Sequence, residues 1–227
     1  MSLQALEGET FAEFAKRSLI NFHAEGEAVI AACRDEAYSN GDVIYQVSNG
    51  AKLWVGSADL ASDRGQLAAI DCQSIVFCQD ESEGIMYFAG EPGFHYLAFP
   101  VGLWEPPRSW PDVTPGDVSP TTPTPQALLE YFAPLFRFVS SELANGRSVL
   151  IHCLAGAHRA GSAGVACLMH LEGLGLAAAI AKAQAARPLI DPIHYLHYLL
   201  SQLEQAMGRA AGEKQSEGQR KVLTDDW

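Results

Sequence analysis

Three short stretches of this chain are apolar almost from end to end: Ser74-Ile75-Val76-Phe77-Cys78, Tyr96 to Val101, and Ser148 to His152. A strand with one face in water alternates apolar and polar residues, whereas a strand covered on both faces reads as a continuous apolar run. Helical patterns fall between and after these runs, over Gln126 to Leu143, Arg159 to Leu171, Leu176 to Ala186 and Pro192 to Met207. Strands alternating with helices specify an α/β fold with a central, mostly parallel sheet flanked by helices. Ligands of such sheets sit at the carboxyl ends of the strands. That rule narrows the search for a site to a few loops.

Other elements fill in around this frame. Asp42 to Val47 and Ala51 to Gly56 flank Ser48-Asn49-Gly50, a hairpin signal because Asn-Gly supplies the positive φ of a tight turn. Ala58 to Ile70 reads as one helix, and Pro134 is expected to bend the long helix that contains it. Phe11, Phe14, Ala15, Leu19 and Phe22 recur at helical spacing, and Glu27 to Tyr38 reads as a second helix. Residues 104–125, "WEPPRSWPDVTPGDVSPTTPTP", are proline-rich and aperiodic, as in a functional lid or an insertion. The predicted layout is an N-terminal helical extension over 1–42, one domain over 43–210 and a polar tail over 211–227.

The 48% apolar content supports a sizeable core, and a formal net charge of −12 argues against nucleic acid or an anionic membrane surface as the main partner. A local anion site stays open, since backbone amides bind phosphate without changing the formal charge. Cys33, Cys72, Cys78, Cys153 and Cys167 are odd in number and contain no C-x2-C pair, which predicts neither a zinc ribbon nor a disulfide framework. Glu7, Glu9 and Glu13 stand where a secretory signal would be basic, and Gly173 to Ala186 is too short to cross a bilayer. The expectation is a soluble cytoplasmic protein with no cofactor, metal or membrane partner.

The chemistry concentrates in "IHCLAGAHRAG", residues 151–161. A loop that leaves a buried strand and enters a helix points successive N–H groups at one spot, and a phosphate dianion suits that spot. Gly156 lets the backbone close tightly. Arg159, at the start of the helix, can grip two phosphate oxygens with its planar fork. Cys153 lies at the base of the loop, where the same amides and the helix dipole stabilise a thiolate. Such a set suits in-line attack of sulfur on phosphorus, giving a phosphocysteine that water hydrolyses. A bare C-x5-R spacing is common by chance. Here it coincides with a preceding histidine, a central glycine, an apolar strand before and a helix after.

"HCLAGAHR" resembles the H-C-x5-R signature of the cysteine-dependent protein phosphatases, especially the dual-specificity branch. The resemblance runs over roughly residues 43–205, through "LWVGSADLA" near the start and "ARPLIDPIHYLHYLLSQL" after the loop. It implies a dual-specificity phosphatase-like fold and a phosphorylated protein as substrate. It also implies Cys153 as nucleophile, Leu154, Ala155, Gly156, Ala157, His158 and Arg159 as the phosphate-binding loop, and His152 as the residue that orients loop and thiolate. His158 stays open between a contact with substrate at the rim and an exposed histidine of no consequence. Some family members protect the nucleophile through a disulfide with a cysteine at a neighbouring strand end, which here would be Cys78.

The sequence departs from the family pattern in two ways. The family's general acid would fall at or near Leu103, which has no proton to give. The proline-rich loop supplies Asp112, Asp117 and Glu105 instead, and Asp112 is placed first because Trp110-Pro111-Asp112 reproduces the Trp-Pro-Asp triplet of tyrosine-specific phosphatases. Second, Ala160 stands where most members carry a serine or threonine whose hydroxyl helps the sulfur leave, and Ser162 is expected to point elsewhere. The leading reading is an active protein phosphatase. Its alternatives are a pseudophosphatase that binds phosphorylated partners, and a phosphatase acting on a non-protein phosphate ester. The lack of lysine at positions 154, 155 and 157 argues against highly phosphorylated lipids.

Overall fold

The computed structural model describes residues 24, 26–32, 39–79, 84–101, 124–193 and 196–208. The strands are β1 (Gly41–Gln46), β2 (Lys52–Gly56), β3 (Cys72–Phe77), β4 (His95–Ala98) and β5 (Ser148–His152). The helices are α1 (residues 26–32), α2 (Ala58–Ser62), α3 (Arg64–Ala69), α4 (Pro125–Ala144), α5 (Arg159–Glu172), α6 (Leu176–Ala186) and α7 (residues 196–208). The sheet order is β1-β2-β5-β3-β4, with β1–β2 antiparallel and every other pairing parallel. The expected sheet with a parallel centre is what forms. The expected helix over residues 10–24, apart from residue 24, and the proline-rich loop from 102 to 123 lie outside the described residues, as does the polar tail.

Burial explains why β5 reads as an unbroken apolar run. All five of its residues are buried, and the pleat sends alternate side chains to opposite faces. Val149 and Ile151 join the large cluster built with α4 and α5, where Phe132, Leu135, Val139, Val165 and Leu168 pack. Leu150 faces the other way, with Ile75, Leu60 and Leu67. The run at 96–101 has a different origin. β4 is the sheet edge, none of its four residues is buried, and its neighbours Phe99 and Val101 enter the core beyond it.

Local chemistry sets the element ends. The helix expected over Ala58 to Ile70 is two, because Asp63 closes α2 and opens α3: its carboxylate accepts from the N–H groups of Gly65 at 2.8 Å and Gln66 at 3.0 Å. An aspartate that competes for backbone N–H groups is a better cap than a helix interior. In the hairpin turn only Gly50 takes a positive φ, of 94°. Asn49 contributes through its side chain, accepting from Ala51 N–H at 3.0 Å and donating to the Leu143 carbonyl at 2.8 Å. Thr124 caps α4 ahead of Pro125, and the helix continues through Pro134. Residues 192 and 193, expected within the last helix, are not helical, and Glu204 of α7 caps the α6 N-terminus at the Leu176 N–H, 2.7 Å away.

At the amino end of the sheet one carboxylate organises its surroundings. Glu142 of α4, with its side chain 8% exposed, accepts from Arg147 at 2.6 and 2.9 Å, from Ser74 at 2.5 Å and from His95 at 2.9 Å. The Arg147 guanidinium, against the opposing effect of burial and with help from Ser74 and His95, holds this carboxyl down at about 2.

Candidate active site

The carboxyl end of the same sheet is built differently. β5 ends at His152, between Gly56 of β2 and Phe77 of β3. Residues 153–158 form the following loop, and α5 opens at Arg159. Within this loop Gly156 is the position where no side chain fits. Its φ is +68°, and a Cβ there would lie 2.5 Å from the carbonyl carbon and oxygen of Gly56. The loop is pressed onto the end of β2.

Donors surrounding the loop hold its carbonyls. Leu154 C=O accepts from the Ala58 N–H at 3.0 Å, and Ala157 C=O accepts from the Asp191 N–H at 3.2 Å. Ala155 C=O accepts from Arg187 Nη2 at 3.0 Å and Gly156 C=O from Arg187 Nε at 2.9 Å. His158 C=O accepts from the Ser162 N–H at 2.8 Å and the Ser162 hydroxyl at 2.7 Å. In a planar trans peptide, C=O and the next N–H point in opposite directions. Pinning these carbonyls against the loop's surroundings therefore turns the N–H groups of 155 to 159 toward the loop's inside. The N-terminus of α5 adds its partial positive charge there.

The predicted residues come together in this loop. Cys153 and Arg159 are its two ends, 3% and 2% exposed. Leu154, Ala155, Gly156, Ala157 and His158 link them, and the Leu154 side chain lies beside Gly26 of α1, where an added Cβ would come within 3.3 Å of it. His158 is not the exposed histidine that was one of its two readings. It is buried, and its Nδ1 lies 2.8 Å from the Asp191 carbonyl oxygen, which can only accept, so Nδ1 carries the hydrogen. Ala160 is wholly buried. The Ser162 hydroxyl is turned back to the His158 carbonyl and does not replace the hydroxyl missing at 160. Asp112, Asp117 and Glu105 lie outside the described residues.

His152 is wholly buried, with its ring tilted against Phe77 at a centroid distance of 5.5 Å. Neither ring nitrogen has a hydrogen-bond partner among the described residues. Burial pushes the imidazole down to about 4, opposed by the nearby Cys153 backbone, so it stands neutral behind the cysteine at ordinary pH. Cys78 follows Phe77, the partner of His152 in register, and its N–H donates to the His152 carbonyl at 2.9 Å. It is thus the strand-end neighbour of Cys153. Burial raises its thiol well above the ordinary value, Cys153 and Cys167 add to this, and Arg159 opposes. So little thiolate slows any attack by Cys78 on an oxidised partner.

Sequence reasoning gave Arg187 no role, although it is the arginine of the closing Arg-x-x-x pattern by which "ARPLIDPIHYLHYLLSQL" resembles the family. Pro188 disfavours helix for the residue before it, and Arg187 leaves α6 at φ −137°, ψ 94°. The guanidinium then reaches the loop.

Comparison with known proteins agrees with this geometry. The family model for the dual specificity phosphatase catalytic domain matches residues 54–205. The dual specificity protein phosphatase Mpk3 of Drosophila melanogaster is 35% identical over 77 residues, 34% of this chain and 19% of that protein. The match thus spans about a fifth of that relative's length. Human DUSP28 superposes with a TM-score of 0.54 at 21% identity, covering 76% of this chain and 97% of that one. A leucine rich repeat and phosphatase domain containing protein from Entamoeba histolytica gives 0.53 at 18%, covering 75% and 94%. At such identities the likeness is one of fold.

Proposed function

Because the chain belongs to the dual specificity phosphatase catalytic-domain family, we propose that it hydrolyses phosphotyrosine and phosphoserine/threonine in proteins through a phosphocysteine on Cys153. The observation that carries the reading is the row of carbonyls from 154 to 158 held by outside donors, which turns the following amides inward above the cysteine. Those amides and the Arg159 guanidinium bind the three equatorial oxygens of the phosphoryl group and meet the charge that develops on them. Sulfur attacks phosphorus in line as the ester oxygen leaves, taking a proton from the general acid. Asp112 is proposed for that role, ahead of Asp117 and Glu105. Water then attacks phosphorus, sulfur departs as thiolate, and inorganic phosphate is released. The chemistry needs a reduced thiol, so a reducing compartment such as the cytoplasm is the proposed setting.

A generic aryl phosphate tests the reading. Wild type should turn it over and Cys153→Ser should not; turnover that survives the substitution would exclude the cysteine route. Asp112→Asn should slow esters with poor leaving groups far more than aryl phosphates, whose leaving oxygen needs little protonation.

One observation favours a second reading, that of a protein that binds phosphorylated partners and turns them over poorly. Ala160 places a buried methyl where a hydroxyl would assist the departing sulfur, and Ser162 is committed elsewhere. Tight binding of a phosphopeptide without release of phosphate would select it.

A further inference from the structure

Arg187 is one of the largest fully buried side chains among the described residues, at 1% exposure, and it lies outside the signature loop. Its Nε and Nη2 donate side by side to the carbonyls of Gly156, at 2.9 Å, and Ala155, at 3.0 Å. Its Nη1 donates to the Ser39 carbonyl at 2.9 Å and to Asp42 Oδ2 at 2.6 Å. A buried guanidinium requires acceptors and a counter-charge. Asp42, on the outermost strand β1 with its side chain 31% exposed, supplies the charge.

We propose that Arg187, held by Asp42, is a positioning residue that fixes the N–H groups of Gly156 and Ala157 toward the inside of the loop. The peptide plane couples the two groups. Each of these N–H groups is trans to a carbonyl that Arg187 holds, so the guanidinium sets two adjacent amides at once. Without it, two buried carbonyls lose their donors, and each peptide can relieve that loss by rotating. A rotated peptide would put a carbonyl oxygen where the oxyanion sits and remove an N–H from it. Gly156 at φ +68° has no Cβ to resist the turn. Lysine cannot substitute, because a single ammonium lacks the parallel pair of N–H groups. The clamp ties the loop to the edge strand β1 and to a carboxylate that takes no part in the chemistry.

This deepens the phosphatase reading, but the orientation of the amides is tested without turnover. The full chain is compared with Arg187→Gln, Arg187→Lys and Asp42→Asn in three measurements: the pH at half-maximal alkylation of Cys153 by iodoacetate, the affinity for inorganic tungstate, and kcat and KM on an aryl phosphate. Thermal melting reports folding. Arg187→Gln is expected to weaken tungstate binding on the order of ten- to hundred-fold, as for loss of charge-assisted hydrogen bonds, and to move the alkylation profile to higher pH. Arg187→Lys should not restore either, and Asp42→Asn should move both in the same direction by less. If Arg187→Gln does not fold, Asp42→Asn decides alone. Folded variants that melt lower yet keep the wild-type alkylation profile and tungstate affinity would overturn the proposal, leaving Arg187 a structural residue only. If the wild type turns over no ester while the alkylation and tungstate readouts respond as stated, the phosphatase reading fails and the positioning role stands. A wild type that binds no tungstate overturns both.

Discussion

The two ends of the sheet solve opposite problems with the same strands. At the amino end, Glu142 is satisfied by side chains: Arg147, Ser74 and His95 converge on one carboxylate. A charge so fully matched holds the fold and has nothing left to offer a ligand. At the carboxyl end, the donors around residues 154–158 take the carbonyls and turn the amides inward. One end closes a charge inside the protein. The other prepares donors for a charge that arrives from outside.

The largest effects should separate the ends by readout. Arg159→Lys keeps the charge and loses the planar fork, so kcat on an aryl phosphate should fall on the order of a hundred- to a thousand-fold with little change in melting. Arg147→Lys should do the reverse, lowering the melting temperature and leaving kcat in place. If both arginines changed turnover alike, the contrast between the ends would collapse.

Next in size is an acid effect at the carboxyl end. His152 lies at about 4 in the fold against an ordinary 6.5. Between those values the unfolded chain binds a proton that the folded chain does not, so stability is intact above about 6.5 and falls as the pH drops toward 4. The full drop is about 3 kcal/mol. Denaturant melts of wild type and His152→Asn across that window should differ in slope, the variant being flatter. His170, also lowered by burial, contributes equally to both and cancels. Parallel slopes would mean that the imidazole finds a proton-accepting partner as it charges.

How much of this was legible beforehand follows the same division. The apolar run over Ser148 to His152 and the spacing from Cys153 to Arg159 are local, and they gave the central strand, the loop and the helix after it. The run at 96–101 misled about burial because apolar content reports contact with the core: Phe99 and Val101 are buried in it, whereas Tyr96 and Leu97 pack against it from the edge and stay half-buried. Asp63 was readable as a cap in principle, yet the apolar periodicity on either side outweighed one residue. The clamp was not readable. Arg187 acts on carbonyls 31 and 32 positions away, and a carbonyl leaves no trace in a sequence. Nor does the Ala58 or Asp191 N–H announce its acceptor, because any residue but proline could donate there. Glu142 and Arg147 are five apart, but the burial that gives the pair its weight depends on strands far along the chain.

The amino end offers a smaller effect. Glu142→Gln puts an amide beside the Arg147 donors and removes the charge they were matched to, costing about 2 kcal/mol of stability. Turnover per folded molecule should not change. The wild-type carboxyl, held at about 2 against an ordinary 4.5, contributes stability that is complete above 4.5 and lost as the pH falls toward 2. That step should be missing in the variant. It lies mostly below the His152 window, the two overlapping only near pH 4 to 4.5, so one acid titration separates the two ends.

The finest test returns to the methyl group at 160. Formation of the phosphocysteine draws on the amides and Arg159, which are all present, whereas its breakdown must expel sulfur as an anion. A hydroxyl at 160 would donate to that sulfur, and Ser162, bonded to the His158 carbonyl at 2.7 Å, is turned away from the task. One charge-assisted hydrogen bond is worth enough to slow the second step on the order of ten-fold. Rapid mixing with an aryl phosphate should therefore release close to one product per active site in a burst, followed by a slow steady rate. Ala160→Ser should raise the steady rate and shrink the burst without changing the burst rate constant. Because Ala160 is fully enclosed, the added oxygen also needs room, so the variant's melting temperature belongs beside its kinetics. A well-folded serine variant with unchanged steady turnover would show that the inward amides alone stabilise the leaving thiolate, which would put more of the chemistry in the backbone of the carboxyl end than the loop's side chains suggest.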